Sequence, residues 1–438
     1  MIHTDHSIWG SFPESTESSI PGFIFSGASI YMDVPIPIKI VTVGLAKSQL
    51  QVRHYAIWDQ LLQSSMTTSV HQERTNTEDF LSIFLQDIPL MDVRSPVEFA
   101  KGSFPTATNA PILDNQQYKM IGTCYKKEGP KAAVTLGHKL ATGDIKAQRL
   151  EDWRSFIKKH PKGYLFCFRG GQRSHIAQQW LKESGYPYPL IKGGYKALRR
   201  FLIVELEHSI KEIPFIILSG KTGTGKTHLI QQLPYSIDLE GLANHRGSSF
   251  GQRYGGQPSQ IDFENRLSIA LLKHRHKHPW IPILMEDESK LIGHCNLPRE
   301  MVDKMQQSPL ILLKETMEER IKITLKEYVT DNLTEFIAVY GEQQGFEQFA
   351  EGLSTSLYRI RRRLGGKRYQ QLSNILGNAI QQHKIDNTTE GYIPLISSLL
   401  SNYYDPMYDY QMKRKKGEII LQGNKKKIQE SYSTLLCK

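Results

Sequence analysis

The sequence predicts an α/β protein in three parts: a small parallel α/β unit, a second α/β unit built on a phosphate-binding loop, and a helical, basic C-terminal region. Three observations predict it. From Ile88 onward short apolar runs alternate with amphipathic stretches, the pattern of strands and crossover helices in a parallel sheet. One such run, residues 214–218, leads into Gly220-Lys-Thr-Gly-Thr-Gly-Lys-Thr227, which matches G-x-x-x-x-G-K-[ST] in the strand–loop–helix setting that motif needs. Beyond Glu315 the apolar residues fall at helical spacing instead.

In chain order, residues 1–74 are rich in Ser, Thr, Ile and Pro and hold no sustained helical period. They read as an N-terminal extension dispensable to the fold, either unstructured or an over-long start, since Met66 would open a chain of sensible layout. Thr75-x-x-Glu78 has the form of a capping box opening a helix with Phe80, Leu81, Phe84 and Leu85 on one side. Strands are expected at residues 88–93, 164–167 and 188–191, within a first domain at 75–207. A helix over 199–212 leads to the strand at 214–218, which opens a second domain at 208–314. Another strand is expected at 281–285, with Pro282 at its first position or on a sheet edge. In the C-terminal region, 315–438, Leu353, Leu357, Ile360 and Leu364 share a helix face that stops at Gly365-Gly366.

Composition narrows the function classes. The 438 residues are 39% hydrophobic and 23% charged, ordinary for a globular protein. The cysteines Cys124, Cys167, Cys295 and Cys437 form no C-x-x-C pair, which argues against a zinc knuckle or a disulfide framework and fits a reducing compartment. The apolar stretch at 20–46 is interrupted by Pro21, Asp33, Pro35, Pro37 and Lys39 and will not span a bilayer. With no basic-then-apolar leader, the expected location is the cytoplasm. The formal net charge of +11 favours a polyanionic partner.

Residues 164–167 deliver Cys167 into a turn of Phe168, Arg169, Gly170, Gly171, Gln172 and Arg173. Small residues after a cysteine let successive N–H groups converge as an anion nest. With Arg169 and Arg173 they would favour a thiolate and stabilise a persulfide or selenide carried on it. Ser174 is expected to start the next helix, adding the positive end of its dipole. Residues 88–102 with Asn109-Ala-Pro111, and later residues 190–197, resemble the opening and closing signatures of rhodanese domains. The resemblance implies that Cys167 carries a transferred chalcogen. Arg173 lies one position further from the cysteine than in common short-loop rhodaneses, which implies a wider pocket.

In the phosphate loop, the N–H groups around Gly220, Gly223 and Gly225 surround phosphate oxygens, Lys226 neutralises charge, and Thr227 is placed to ligate Mg²⁺. Residues 281–288 end in Glu286, Asp287 and Glu288, of which one either holds Mg²⁺ through water or belongs to a solvated strand end. The loop specifies a polyphosphate without saying which: a nucleoside triphosphate and another pyrophosphate ester satisfy the same donors. Asp92 reads as a structural hydrogen-bond acceptor and Cys124 as structural, while His138 and His175 have no visible partner.

Arg359, Arg361, Arg362, Arg363, Lys367 and Arg368 cluster around a helix end, and residues 413–416 and 425–427 add two further basic runs. Tyr403, Tyr404, Tyr408 and Tyr410 are nearby in sequence and of a type that stacks on unpaired bases. Together these point to RNA contact.

A rhodanese-like domain followed by a P-loop NTPase-like α/β domain is a narrow combination. The stretches Gly122-Thr-Cys-Tyr125, Leu136-Gly-His-Lys-Leu140, Asp238-Leu-Glu-Gly-Leu242, His245-Arg-Gly-Ser248, Glu286-Asp-Glu-Ser289 and Tyr403-Tyr-Asp-Pro-Met-Tyr408 resemble, in order, the bacterial tRNA 2-selenouridine synthase family. The resemblance runs from about Thr75 to the C-terminus. It implies conversion of wobble 2-thiouridine in tRNA to 2-selenouridine with selenophosphate, through an S-geranylated intermediate made from geranyl diphosphate. It also implies a selenophosphate supplier as partner, a selenium carried on Cys167, and a P-loop that grips the diphosphate. The competing expectation is an ATP-dependent tRNA sulfurtransferase with a rhodanese persulfide carrier, and a non-enzymatic scaffold is the third.

Overall fold

Two parallel sheets organise the computed structural model, which describes residues 74–436. The first has three strands, β1 (Leu90–Asp92), β2 (Ala107–Asn109) and β3 (Tyr164–Phe166), in the order β2-β1-β3. All three residues of the central β1 are buried, as expected of a strand covered on both faces. Around it lie helices α1 (Phe80–Leu85), α2 (Pro96–Lys101), α3 (Asn115–Leu140, kinked at Gly129-Pro130), α4 (Gly143–Lys159), α5 (Gln172–Glu183) and α6 (Gly194–Glu212).

The second sheet has five strands in the order β10-β9-β4-β6-β5, every pairing parallel. They are β4 (Phe215–Gly220), β5 (Ser236–Ile237), β6 (Ile283–Glu286), β9 (Leu310–Leu313) and β10 (Ile419–Gly423). A two-stranded antiparallel ribbon, β7 (Leu291–Ile292) with β8 (Cys295–Asn296), stands apart. Helices α7 (Lys226–Ile230), α8 (Leu239–Leu242), α9 (Gln260–Lys277) and α10 (Arg299–Met305) punctuate the strands. The chain then becomes helical from α11 (Met317–Leu325) through α12 (Asp331–Tyr340), α13 (Glu342–Arg359), α14 (Arg361–Leu364), α15 (Gly366–Asp386), α16 (Ile393–Leu399) and α17 (Asp405–Met412). Among the described residues no helix is long and apolar enough to cross a membrane.

Several elements differ from the sequence reading for identifiable reasons. The extension at 1–74 lies outside the described residues except for Arg74. The first helix is capped by Asp79, whose carboxylate accepts from Ser82 N–H at 3.0 Å, and not by Thr75. Residues 188–191 make only isolated bridges, Leu165↔Leu190 and Thr77↔Ile191, because Pro187 and Pro189 have no N–H to donate to a ladder. The helix expected from residue 199 starts five residues earlier, at Gly194. Pro282 does precede its strand, yet β6 lies inside the sheet, between β4 and β5. The apolar stripe Leu353, Leu357, Ile360 and Leu364 is buried as expected, but it spans two helices that break at Ile360 before Gly365 turns the chain with φ 80°.

The largest correction concerns the C-terminal region. It is not helical throughout: β10 returns to pair with β9, and α18 (Lys425–Leu436) buries Ile428 and Tyr432 against Ile216, Leu218 and Ile311 of the P-loop sheet. The boundary at 207/208 also falls inside α6. That helix belongs to both cores, with Leu198 and Leu202 in one and Leu206 and Ile210 in the other. It packs along α9, where Ser268 Oγ donates to Leu202 O at 2.7 Å and Arg199 pairs with Glu264.

Candidate functional site

The cysteine loop is held by the start of α6. Tyr195 N–H donates to Cys167 O and Lys196 N–H to Phe168 O, each at 2.9 Å. Gly170 has φ 63°, and a Cβ there would lie 2.7 Å from Gly193 N and 3.0 Å from Ile191 O, so only glycine fits. Cys167 is 3% exposed, with Sγ 4.0 Å from Gly171 O. Among the described residues the N–H groups of Arg169, Gly170 and Gly171 donate to no acceptor, as an anion nest requires. Gly171 is the N-cap of α5, which begins at Gln172 and not at Ser174.

The two arginines divide. Arg169 is exposed, its guanidinium 5.9 Å from the Phe168 ring. Arg173 grips Glu98 with two hydrogen bonds of 2.5 and 3.0 Å. Burial works against its charge, but the hydrogen bonds and charge of Glu98, with a smaller contribution from Cys167, override that and raise its pKa. Arg173 therefore fixes the loop to α2 while still facing the thiol. Asp92 is structural as expected: buried, its carboxylate accepts from Arg94 Nε at 2.9 and 3.0 Å.

The second loop runs from Gly220 at the end of β4 to α7. Gly223 and Gly225 have φ 80° and 77°, and a Cβ on Gly223 would run into Thr324 Oγ1 and lie 2.9 Å from Arg320 O. Among the described residues Lys226 Nζ forms no ion pair; it donates to Gly220 O at 2.7 Å and Lys221 O at 3.4 Å. Thr227 Oγ1 donates to Glu240 Oε2 at 2.6 Å.

Glu286, Asp287 and Glu288 have three different environments. Glu286 is fully buried and accepts from Leu239 N–H at 2.9 Å, away from the loop. Asp287 is taken by Ser219 Oγ at 2.6 Å and by Lys415. Glu288 lies beside Glu240; burial first, then the neighbouring Glu240 charge, pushes its carboxyl well up. Burial likewise raises Glu240, against the Thr227 hydrogen bond and the Lys226 charge. Among the described residues no three His, Cys, Asp or Glu side chains form a metal-holding group. The oxygens nearest the loop are thus Thr227, Glu240 and Glu288.

These residues open on a cavity of about 560 Å³ whose lining comes entirely from residues between Gly220 and Gln411, without Cys167. His245 lines it, its pKa lowered to about 4 by burial and by the nearby charges of His294, Arg359 and Arg246. Arg246 and Arg253 share Glu335 at 3.2 and 3.0 Å. Sequence spacing gave no hint of Glu240, His245, Arg246 or Tyr328; the signal for the first three lay in the family-like stretches around them.

Of the tyrosines expected to stack on bases, Tyr403 and Tyr404 belong to the helical core, at 9% and 6% exposure. Both still edge the cavity, as does Tyr408, whose hydroxyl lies 3.2 Å from Ser219 Oγ; Tyr410 alone is exposed. Arg359, Arg362, Arg363, Lys367 and Arg368 are exposed and Arg361 half-buried over the Tyr358 ring at 3.6 Å. None of the six forms an ion pair among the described residues. Arg363 also lines the cavity and donates to Tyr403 Oη at 3.4 Å, which joins the basic surface to the cavity rim. Lys415 does not belong to that surface, being spent on Asp287.

One buried pair ties the phosphate loop to the helical region. Arg320, 4% exposed, donates to Asp405 at 2.6 and 3.0 Å and to Thr222 O at 2.9 Å. Burial alone would raise the Asp405 carboxyl, but Arg320, with Lys221, holds it below the usual range. Arg320→Ala is expected to cost about 2–3 kcal/mol, since Asp405 loses its two guanidinium hydrogen bonds and keeps only Lys221 at 3.4 Å. Asp405 contributes its stability above its unfolded pKa and loses it as pH falls through the lowered folded value. The gap between variant and wild type in urea denaturation should therefore shrink below about pH 4.

Fold and site together define a P-loop protein whose α/β core is joined to a smaller parallel α/β unit presenting a buried cysteine in a glycine turn. Residues 213–437 match the family model described as the tRNA 2-selenouridine synthase AAA domain, a span that includes the returning β10. Three similar proteins, each named tRNA 2-selenouridine synthase, come from Marinobacter nauticus (54% identical, covering 82% of this chain and 97% of that one), Alcanivorax borkumensis (50%; 81% and 98%) and Hahella chejuensis (48%; 82% and 94%). The chain belongs to the tRNA 2-selenouridine synthase family.

Proposed function

We propose that this enzyme replaces the sulfur of wobble 2-thiouridine in tRNA by selenium from selenophosphate, by way of an S-geranyl intermediate made from geranyl diphosphate. The observation that carries the reading is the shared cavity: Lys226, in a phosphate loop and hydrogen-bonded only to backbone carbonyls, opens into a space rimmed by Arg363, which forms no ion pair among the described residues, and by the tyrosine segment. A diphosphate and an RNA base find their partners side by side there.

In the first step the thiocarbonyl sulfur attacks C1 of the geranyl group. The S–C1 bond forms, the C1–O bond breaks, and the uracil N3 proton is lost. Diphosphate leaves onto the N–H groups around Gly220, Gly223 and Gly225 and onto Lys226, donors pre-arranged for that charge. Alkylation matters because a thiocarbonyl sulfur is a poor leaving group, whereas its S-alkyl form departs from C2 as a thiol. Selenium then takes that position: the P–Se bond of selenophosphate breaks as phosphate leaves, and the selenide joins the Cys167 sulfur as S-selanylcysteine, a disulfide acceptor taking the two electrons lost. With Arg169, Gly170, Gly171 and Arg173 around it, the terminal selenium attacks C2, and the C2–S bond breaks as the geranyl thiol leaves. Two thiols then reduce the S–Se bond, freeing 2-selenouridine and the Cys167 thiol. Mg²⁺, a cation that prefers oxygen ligands, fits Thr227, Glu240 and Glu288, whose neighbouring buried carboxylates call for a neutralising charge. It would neutralise the diphosphate.

On this reading residues 75–207 are a rhodanese-like domain, the P-loop domain starts near residue 208, and the helical region from 315 docks tRNA through Arg359, Arg361, Arg362, Arg363, Lys367 and Arg368. The reaction belongs to the cytoplasm and depends on a selenophosphate supplier. Incubating the purified protein with 2-thiouridine tRNA and selenophosphate should give 2-selenouridine only when geranyl diphosphate is added. ATP turnover coupled to product, with geranyl diphosphate ignored, would instead establish an ATP-dependent sulfurtransferase.

A further inference from the structure

Behind the phosphate loop lies a second, narrow cavity of about 50 Å³, walled almost wholly by carbon. Its deep wall is Val329, Leu353, Leu395, Ile396 and Leu399, all at or below 7% exposure and all in the helical core. It adjoins the larger cavity through Thr222, Ser248, Tyr328 and Tyr404, which line both. Thr222 is itself a residue of the phosphate loop, so the slot lies next to a chain leaving a bound diphosphate.

The two cavities differ in what they can hold. A nucleotide's sugar and base bring hydroxyls and ring nitrogens, and burying these against aliphatic side chains is costly. Apart from Thr324 Oγ1 and the Tyr404 hydroxyl the slot gives them few partners and, at about 50 Å³ beside about 560 Å³, little width. A flexible branched hydrocarbon needs neither. Its transfer from water is favourable by roughly fourfold in affinity per methylene. Thr324 Oγ1, on the slot wall against Gly223, is buried and has no hydrogen-bond partner among the described residues, which leaves one donor free where chain and diphosphate would join.

We infer that this slot is the tail site of the alkyl diphosphate, with Val329 beside the chain and Leu353 helping to set the length accepted. The inference rests on the reading that geranyl diphosphate is the alkyl donor. It goes further in assigning chain-length selection to the helical region rather than to the phosphate loop.

The test uses the full chain, 2-thiouridine tRNA and dimethylallyl, geranyl and farnesyl diphosphates, with inorganic pyrophosphate binding measured separately. Wild type should prefer geranyl over dimethylallyl diphosphate by on the order of 1,000-fold in kcat/KM, the loss of one five-carbon unit at roughly fourfold per carbon. Val329→Phe, which fills the slot, should raise KM for geranyl diphosphate at least about tenfold and leave pyrophosphate affinity within about twofold. Leu353→Ala, which deepens it, should shift the farnesyl-to-geranyl ratio upward at least about tenfold. Pyrophosphate binding reports whether each variant is folded, and if Val329→Phe fails that check Leu353→Ala decides. Unchanged KM and unchanged length preference in the folded variants would overturn the tail site while leaving geranyl transfer standing. A wild type that consumes none of the three diphosphates would overturn the geranyl reading and its tail site together.

Discussion

Lys226→Ala is expected to abolish S-geranyl-2-thiouridine, with kcat/KM for geranyl diphosphate falling by about 100-fold to 1,000-fold. Among the described residues the ammonium group hydrogen-bonds only the carbonyls of Gly220 and Lys221, and the Glu240 and Glu288 carboxyls near it form no ion pair with it, so it is open to an incoming diphosphate. Charge on the departing diphosphate grows as the C1–O bond breaks, and removing one pre-arranged donor from such a site typically costs that much. The folded state loses only hydrogen bonds to carbonyls, so thermal stability should stay near wild type. Nucleoside mass spectrometry of tRNA from cells lacking the protein, complemented with the variant, reads the result. Geranylated nucleoside at wild-type levels would remove the loop from the alkylation step.

Cys167→Ser should separate the two halves of the chemistry. Serine preserves size and the loop's backbone bonds to Tyr195 and Lys196, but its oxygen cannot form the sulfur–selenium bond that carries the atom. Selenium entry should stop, and S-geranyl-2-thiouridine, still made at the phosphate loop, should accumulate. The cavity at that loop has no wall from Cys167, which is why its chemistry should survive the substitution. If the serine variant still makes 2-selenouridine, another group carries the selenium.

How far the sequence was legible depended on whether chemistry was local. Both loops were readable because each is a contiguous run whose shape resides in backbone N–H groups and glycine conformations. The alternation of short strands and helices was equally plain. What escaped was assembled from a distance. Glu240 reaches Thr227 from α8, Arg320 reaches Asp405 and Thr222 from α11, and neither spacing has a signature. Glu286, Asp287 and Glu288 could not be told apart in sequence because alternation along β6 and its exit decides which carboxyl is buried, which is paired and which meets the loop. Tyr403 and Tyr404 looked like stacking platforms because an amphipathic helix hides tyrosine rings as readily as it displays them.

The return of β10 to the edge of the P-loop sheet has a consequence for biogenesis. Its partner β9 ends at Leu313, and β10 starts at Ile419, so the whole helical region is synthesised while that edge of β9 is unpaired. An exposed parallel edge with apolar Leu310, Ile311, Leu312 and Leu313 is a site for wrong pairing with other chains. At about 5–20 residues per second, the window lasts several seconds on each ribosome. A nonsense mutation late in the gene, leaving both chemical loops in place, should therefore give an aggregated protein rather than a shortened active one.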